Sequence, residues 1–379
     1  AVAAGVALAA LAQLGVAAAM VLTALPTGLR LVHLALGTAI WVGLVALAEL
    51  LDARPGAPAP AAGRVRAIAA DLLALTKPRI VALLLVTTVV PMLVAGPELP
   101  PASLVAWTAI AGYLMAGGAN AVNMWFDRDI DGRMRRTRLR PVPAGRIGPR
   151  GALAFGLALA AVAFALFWTR VNPLAAWLAA AGFVYYVLVY TIWLKRRTPL
   201  NIVVGGAAGA FPPLVGWAAA AGRLDLAALY LFAVVFYWTP PHFWALALVK
   251  RDEYAHAGVP MLPVVRGERE TKWQMLLYAV MLLPLTLVPP LTGAAGLLYG
   301  VAALALGLRL IWYCGRLLGE AGATPTAWRL YRFSLLYLAL LFTALAVDRA
   351  LPVGRLEASA GPALVLRDPV GGPPAAGAA

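Results

Sequence analysis

Cysteine is nearly absent: Cys314 is the only one, which excludes a disulfide within the chain and any cluster of thiolate metal ligands. Acidic residues are scarce too, 16 Asp and Glu against 31 Lys and Arg, for a formal charge of +15. The basic residues are not interleaved with aromatics in the manner that stacks bases, so no nucleic acid is expected as a partner. The charge instead reads as a topology signal and as contact with anionic membrane lipid. No internal repeat of the kind that builds transporters is found. No basic n-region precedes the first apolar run, so no secretory signal peptide is expected. Apolar residues, by contrast, make up 63% of the chain. That is far above the share in an ordinary soluble domain, and the solvent is therefore a bilayer.

Judged against the roughly 20 apolar residues needed to cross a bilayer, the candidate spans are 2–25, 31–51, 80–95, 102–125, 152–168, 174–194, 202–221, 226–248, 273–290, 294–311 and 328–351. The fold class is all-α, a polytopic transmembrane helix bundle. Between 52 and 74 lies a Pro/Gly/Ala-rich stretch, RPGAPAPAAGR at its centre, read as a linker between two N-terminal helices and a bundle over 75–351. The tail, 352–379, ends GGPPAAGAA and is expected to be disordered. Lys and Arg concentrate in alternate loops, which puts those loops in the cytoplasm. The amino end is then cytoplasmic and the carboxyl end outside.

The stretch NMWFDRDIDGRMRRTRLRPVPAGRIGPR, beginning at Asn123, stands out within this apolar background. If the preceding helix continues, Asn123, Asp127 and Asp131 fall at i, i+4 and i+8 on nearly one face. They form a ladder of hard oxygen ligands of the kind Mg²⁺ prefers, and Arg136, Arg138 and Arg140 downstream supply guanidinium forks that match phosphate geometry. Asp129 lies on the other side of the helix, a partner for the Arg run rather than a ligand. Salt-bridged charges in a cytoplasmic loop are the plainer alternative, and the alignment of the three N/D positions weighs against it. A second group, Lys250, Asp252, Glu253 and His256, emerges at the same membrane side, either to hold a second Mg²⁺ or to complete the first site.

Several other features are less specific. In YTIWLKRRT, Tyr190 precedes Lys195 and Arg196, an arrangement that is by default an interfacial anchor. Gly205 and Gly209 form a small-xxx-small face suited to close helix packing, and Pro212 and Pro213 are expected to kink that helix. His242 follows Pro240 and Pro241 about two turns inside the membrane. It is either an iron ligand, a base, or a partner for kinked backbone.

The Asn123, Asp127, Asp131 pattern resembles the N-x-x-x-D-x-x-x-D signature of the UbiA-type intramembrane prenyltransferases. Within that superfamily, NMWFDRDIDGRMRRTRLRPVPAGRI, PPHFWALAL, DEYAHAGVPMLPVVRG and TKPRI resemble the protoheme IX farnesyltransferase (haem O synthase) branch. His256 stands where a wider member would carry the second Asp of its second acidic motif. The resemblance implies a nine-helix UbiA-type core preceded by two further transmembrane helices, in a bacterial inner (cytoplasmic) membrane with the site facing the cytoplasm. It also implies farnesyl transfer from farnesyl diphosphate to a vinyl group of haem B, with hydration, in cytochrome oxidase haem biosynthesis. In that reading Asn123, Asp127, Asp131 and Asp252 hold Mg²⁺. Asn123, Arg136, Arg140, Lys195, Arg196 and Lys250 bind diphosphate, and Asp127, Asp131, Arg136, Arg140 and Lys195 carry the catalysis. His242, His256, Tyr190 and His33 are the candidates for haem contact, and Trp125, Tyr190, Phe243 and Trp244 the candidates for lining the chamber. Residues 25–47 resemble the last helix pair of haem A synthase, which implies a fused or partner haem A synthase portion. The alternatives are a prenyltransferase with another acceptor, such as a quinone precursor, or a non-catalytic haem-binding assembly protein.

Overall fold

The computed structural model describes residues 64–351. The two expected N-terminal spans with His33, and the expected disordered tail, lie outside them. No strand occurs among the described residues. Among the described residues eight helices are long and apolar enough to cross a bilayer, and a ninth crossing results if one pair of helices bent by 45° counts as a single span. That pair is α1 (Arg64–Thr76) and α2 (Pro78–Val94). Helix α1 occupies the second half of the stretch read as linker, because RVRAIAADLLALT beyond the Pro/Gly-rich part contains no helix breaker.

The remaining helices follow in chain order: α3 (Ala102–Phe126), the short α4 (Arg128–Arg133), α5 (Pro149–Arg170) and α6 (Pro173–Val184), which runs on into a π-helical stretch, Tyr185–Leu194. Then come α7 (Asn201–Gly205), α8 (Ala207–Ala221), α9 (Leu226–Val249), and the short α10 (Arg251–His256) and α11 (Leu262–Val265). The last three are α12 (Gly267–Leu291), α13 (Leu297–Leu318) and α14 (Pro325–Ala350). Helices suit this solvent because each satisfies its own backbone polar groups where no water is available.

The outer surface confirms the nature of that solvent. Leu157, Trp177, Leu188, Val301 and Leu308 are exposed, whereas Asn123, Asp127, Asp131 and Asn201 are buried. Close helix approach relies on small residues, as expected where lipid is as apolar as the side chains. At the crossing of α3 and α5, a Cβ on Gly118 would lie 2.6 Å from the Gly156 carbonyl oxygen, and one on Gly156 would lie 2.8 Å from that of Gly118. The irregular turn between α7 and α8 falls at Gly206, one to two turns before Pro212 and Pro213. A proline's missing donor and ring strain act on the turn preceding it. Not every buried acid belongs to a site. Asp348 accepts from the N–H groups of Gly296 (2.6 Å) and Tyr299 (3.2 Å), so it caps the N-terminus of α13.

Candidate active site

Helix α3 yields at Asp127, whose φ of −84° and ψ of 6° lie at the edge of the helical region. The hydrogen bonds nevertheless carry on: Asp127 N–H donates to the Asn123 carbonyl (2.9 Å) and Asp131 N–H to that of Asp127 (2.8 Å). The i, i+4, i+8 ladder therefore survives the break. Its three side chains are buried, with relative exposures of 4%, 1% and 3% for Asn123, Asp127 and Asp131. Asn123 Nδ2 donates to Asp127 Oδ2 (2.8 Å) and to Thr191 Oγ1 (3.1 Å). Asp129, on the opposite side, is exposed and takes a forked bond from Arg196 at 2.7 and 2.8 Å. That fork holds its carboxyl below the usual carboxylate range.

Cations from distant segments close on the ladder. Lys195 Nζ bonds Asp127 Oδ2, Arg140 Nη1 bonds Asp131 Oδ2 at 2.7 Å, and Arg196 Nη2 stands 3.7 Å from Asp127 Oδ1. Burial opposes the Lys195 charge most strongly, but Asp127, Tyr190 and Asp131 together outweigh it and raise the ammonium above its ordinary pKa. The π-helical stretch sets this placement. Lys195 N–H donates to the Tyr190 carbonyl five residues back at 2.9 Å, and Thr191 Oγ1 donates to the Tyr186 carbonyl at 2.9 Å. Such wider turns recur at functional sites, where they re-aim side chains. Gly205 makes room beside it, since a Cβ there would sit 2.3 Å from Tyr190 Cδ2. Gly209, its expected partner in close packing, faces open space instead.

Two further contributors, Lys77 and Thr191, were not singled out as site residues from sequence. Lys77 Nζ donates to Asn123 Oδ1 at 2.9 Å. Its backbone is left-handed, φ 51° and ψ 60°, the one non-glycine residue with positive φ among those described. Pro78 disfavours the right-handed helical region for the residue before it, so α1 stops and α2 restarts at the proline. Held strain of this kind costs about 1–3 kcal/mol and clusters at functional sites. The sequence signal was the tripeptide TKP between two apolar helices.

The second acidic group gathers around a cleft of about 480 Å³ lined by Arg133, Arg135, Val249, Lys250, Asp252, Glu253 and His256. Lys250 pairs with Glu253 at 2.9 Å. Burial alone would raise the Glu253 carboxyl pKa, but Lys250 and Arg136 together hold it below the usual range. Asp252 and His256 are exposed. Arg136 and Arg138 are exposed as well, and Arg136 acts on Glu253.

The ladder fits a hard cation. Asp127 Oδ1 is buried and has no hydrogen-bond partner, although its companion oxygen is doubly engaged. Among the described residues no group of three or more His, Cys, Asp or Glu could hold a metal ion. An ion here would depend on Asn123, water and substrate oxygens, which is how Mg²⁺ is usually held.

Of the aromatic candidates, Tyr190 stacks on Tyr186 with centroids 5.5 Å apart, Trp125 packs against the small apolar cluster that contains Leu75 and Ala121, Trp244 is fully buried and Phe243 is partly exposed. His242 is buried and hydrogen-bonded through Nδ1 to Ser334 Oγ at 2.7 Å.

A profile of the UbiA prenyltransferase family matches residues 83–347. The chain belongs to the UbiA prenyltransferase family. Among relatives named protoheme IX farnesyltransferase, that of a Roseiflexus species is 49% identical over 337 residues, covering 84% of this chain and 63% of the relative. That of Thermus thermophilus is 50% identical over 333 residues, 86% of this chain and 55% of the relative. The chain thus spans less than two thirds of these two proteins. That of Symbiobacterium thermophilum is 55% identical over 279 residues, 73% of this chain and 93% of the relative. A UbiA homologue from Archaeoglobus fulgidus, solved with GPP and Mg²⁺, superposes with a TM-score of 0.59 at 17% identity, covering 74% of this chain and 99% of that one. The multi-pass helical architecture of the UbiA family accounts for the apolar surface described above.

Proposed function

We propose that this chain transfers the farnesyl group of farnesyl diphosphate to a vinyl group of haem B, with addition of water, to give haem O and diphosphate. The observation that carries the reading is the buried Asn123, Asp127, Asp131 ladder faced by Lys77, Arg140, Lys195 and Arg196, with Asp127 Oδ1 making no hydrogen bond. Acceptor and donor identity are supported by the names of the relatives, including one that this chain covers almost completely.

Asn123, Asp127 and Asp131 would hold Mg²⁺, with Asp252 at the neighbouring cleft. Bound Mg²⁺ supplies Lewis-acid neutralisation of the diphosphate. Arg140, Lys195 and Arg196 bind the diphosphate oxygens and stabilise the charge that builds on them as the allylic C–O bond breaks and its electron pair leaves with diphosphate. Arg136 and Lys250 bind from the cleft side. The apolar bundle excludes water from the allylic cation until the vinyl carbon supplies the pair for the new C–C bond. Water then adds to the remaining carbocation and a proton departs. Tyr190 and Phe243 are the aromatic candidates for cation-π contact with the allylic cation. His242, His256 and Tyr190 are the haem-contact candidates among the described residues. The alternating basic loops support a bacterial inner membrane setting with the site on the cytoplasmic side.

The test offers purified protein both haem B and a phenolic quinone precursor with farnesyl diphosphate and Mg²⁺, and follows products by mass. Farnesylated, hydrated haem is expected. Prenylation of the phenol alone overturns the acceptor, and haem binding with no product at all overturns the enzyme.

A further inference from the structure

Four rings form a continuous stack between α9 and α14. Trp328 lies on Tyr331 (centroids 5.3 Å, 21°), Tyr331 on His242 (5.0 Å, 25°), and His242 on Trp238 (4.4 Å, 15°). Phe243 meets the His242 ring edge-on at 5.0 Å and 83°. With Trp238 and Tyr331 stacked on the imidazole, a ligand reaches the ring only at its rim.

Ser334 organises this stack. Its carbonyl accepts from Trp238 Nε1 at 2.8 Å, its hydroxyl donates to the Tyr331 carbonyl at 2.7 Å, and the same hydroxyl oxygen lies 2.7 Å from His242 Nδ1. A hydroxyl has one proton to give. Both short contacts are hydrogen bonds only if that proton points at Tyr331 and His242 Nδ1–H donates to Oγ. In a ring that carries a single proton, the lone pair is then on Nε2. Histidines that bind metals are held in this way, with the second nitrogen's proton given to a fixed neighbour that sets tautomer and orientation.

We propose that His242 binds the iron of the haem acceptor through Nε2, and that Ser334 is the positioning residue that fixes the ring for it. The inference rests on the haem reading of the acceptor. It selects His242 over His256, which sits exposed beside Arg133 and Arg135 in the surface cleft.

The experiment titrates the purified full chain in detergent with ferric haem B and records visible absorption and electron paramagnetic resonance. Magnesium-dependent binding of farnesyl diphosphate serves as the check on folding in every variant. The wild type is expected to give a histidine-ligated iron signature. His242→Gly should lose it and regain it on addition of imidazole. Ser334→Ala should weaken haem binding roughly 10–100-fold, and Ser334→Thr, which keeps the hydroxyl, should restore it. If His242→Gly does not fold, the Ser334→Ala and Ser334→Thr pair decides the matter. An unchanged iron signature in folded His242→Gly, its loss in His256→Ala instead, or equal affinity in Ser334→Ala and wild type overturns the assignment while leaving the haem reading intact. A wild-type protein that does not bind haem at all overturns the haem reading itself.

Discussion

Replacing Asp127 by Asn removes one charge with little change of shape, and leaves Lys195 in a buried setting without its counter-ion. Asp127 is 1% exposed at its side chain and Lys195 16%, so water screens the pair weakly. Breaking such a pair from one side costs about 3–5 kcal/mol, because the orphaned charge keeps its desolvation penalty. Arg196, 3.7 Å from Asp127 Oδ1, would lose a partner too, although its fork to Asp129 remains. Asp127→Asn is thus expected to destabilise the fold by about 3 kcal/mol. Lys195→Met in that background should recover most of it, since the unpaired ammonium is gone. A double-mutant cycle, read by unfolding in mixed detergent micelles, should yield a coupling energy of about 2–3 kcal/mol. Single effects that add to within about 0.5 kcal/mol would show that the two side chains act independently, and would refute the buried-pair reasoning.

Lys77→Met removes the donor to Asn123 Oδ1 and is expected to raise the KM for farnesyl diphosphate by roughly 10–100-fold, the scale of a charged hydrogen bond; steady-state kinetics would check this. Gly205→Val places a side chain within contact of Tyr190, so overpacking should cost about 1–3 kcal/mol in thermal unfolding and disturb the neighbouring site. Asp129 and Glu253 both have folded carboxyl pKa values below the ordinary ones. Their stabilisation is present above the unfolded pKa and is lost as pH falls through the folded values. Melting temperature should therefore drop on acidification below about pH 4. Asp129→Asn should flatten that slope only slightly, because the carboxylate is half in solvent and its pair is worth about 0.2–1 kcal/mol.

The spans within the described residues and the acid ladder were legible in the sequence because both depend on local patterning: apolar length for one, a spacing of four residues for the other. The hydrogen bonds through Asp127 preserve that spacing even though the helix yields there. The cations around the ladder were harder to read. Arg140 meets Asp131, yet Arg136 and Arg138 of the same run face outward, because the turns after Met134 redirect the chain. Lys77 and Thr191 reach Asn123 across 46 and 68 residues. The proline break and the wider helical turn that aim them carry no periodic signature. The link between His242 and Ser334 spans 92 residues, and nothing near either position announces the other.

In the proposed reaction the buried ladder drives departure of diphosphate for prenyl transfer to haem. The most direct measurement is product mass from haem B, farnesyl diphosphate and Mg²⁺ with wild-type protein, with Asp127→Ala, and with wild type plus EDTA. Farnesylated, hydrated haem is expected from the first and none from the other two. Product formed at the wild-type rate by folded Asp127→Ala would contradict that role of the ladder.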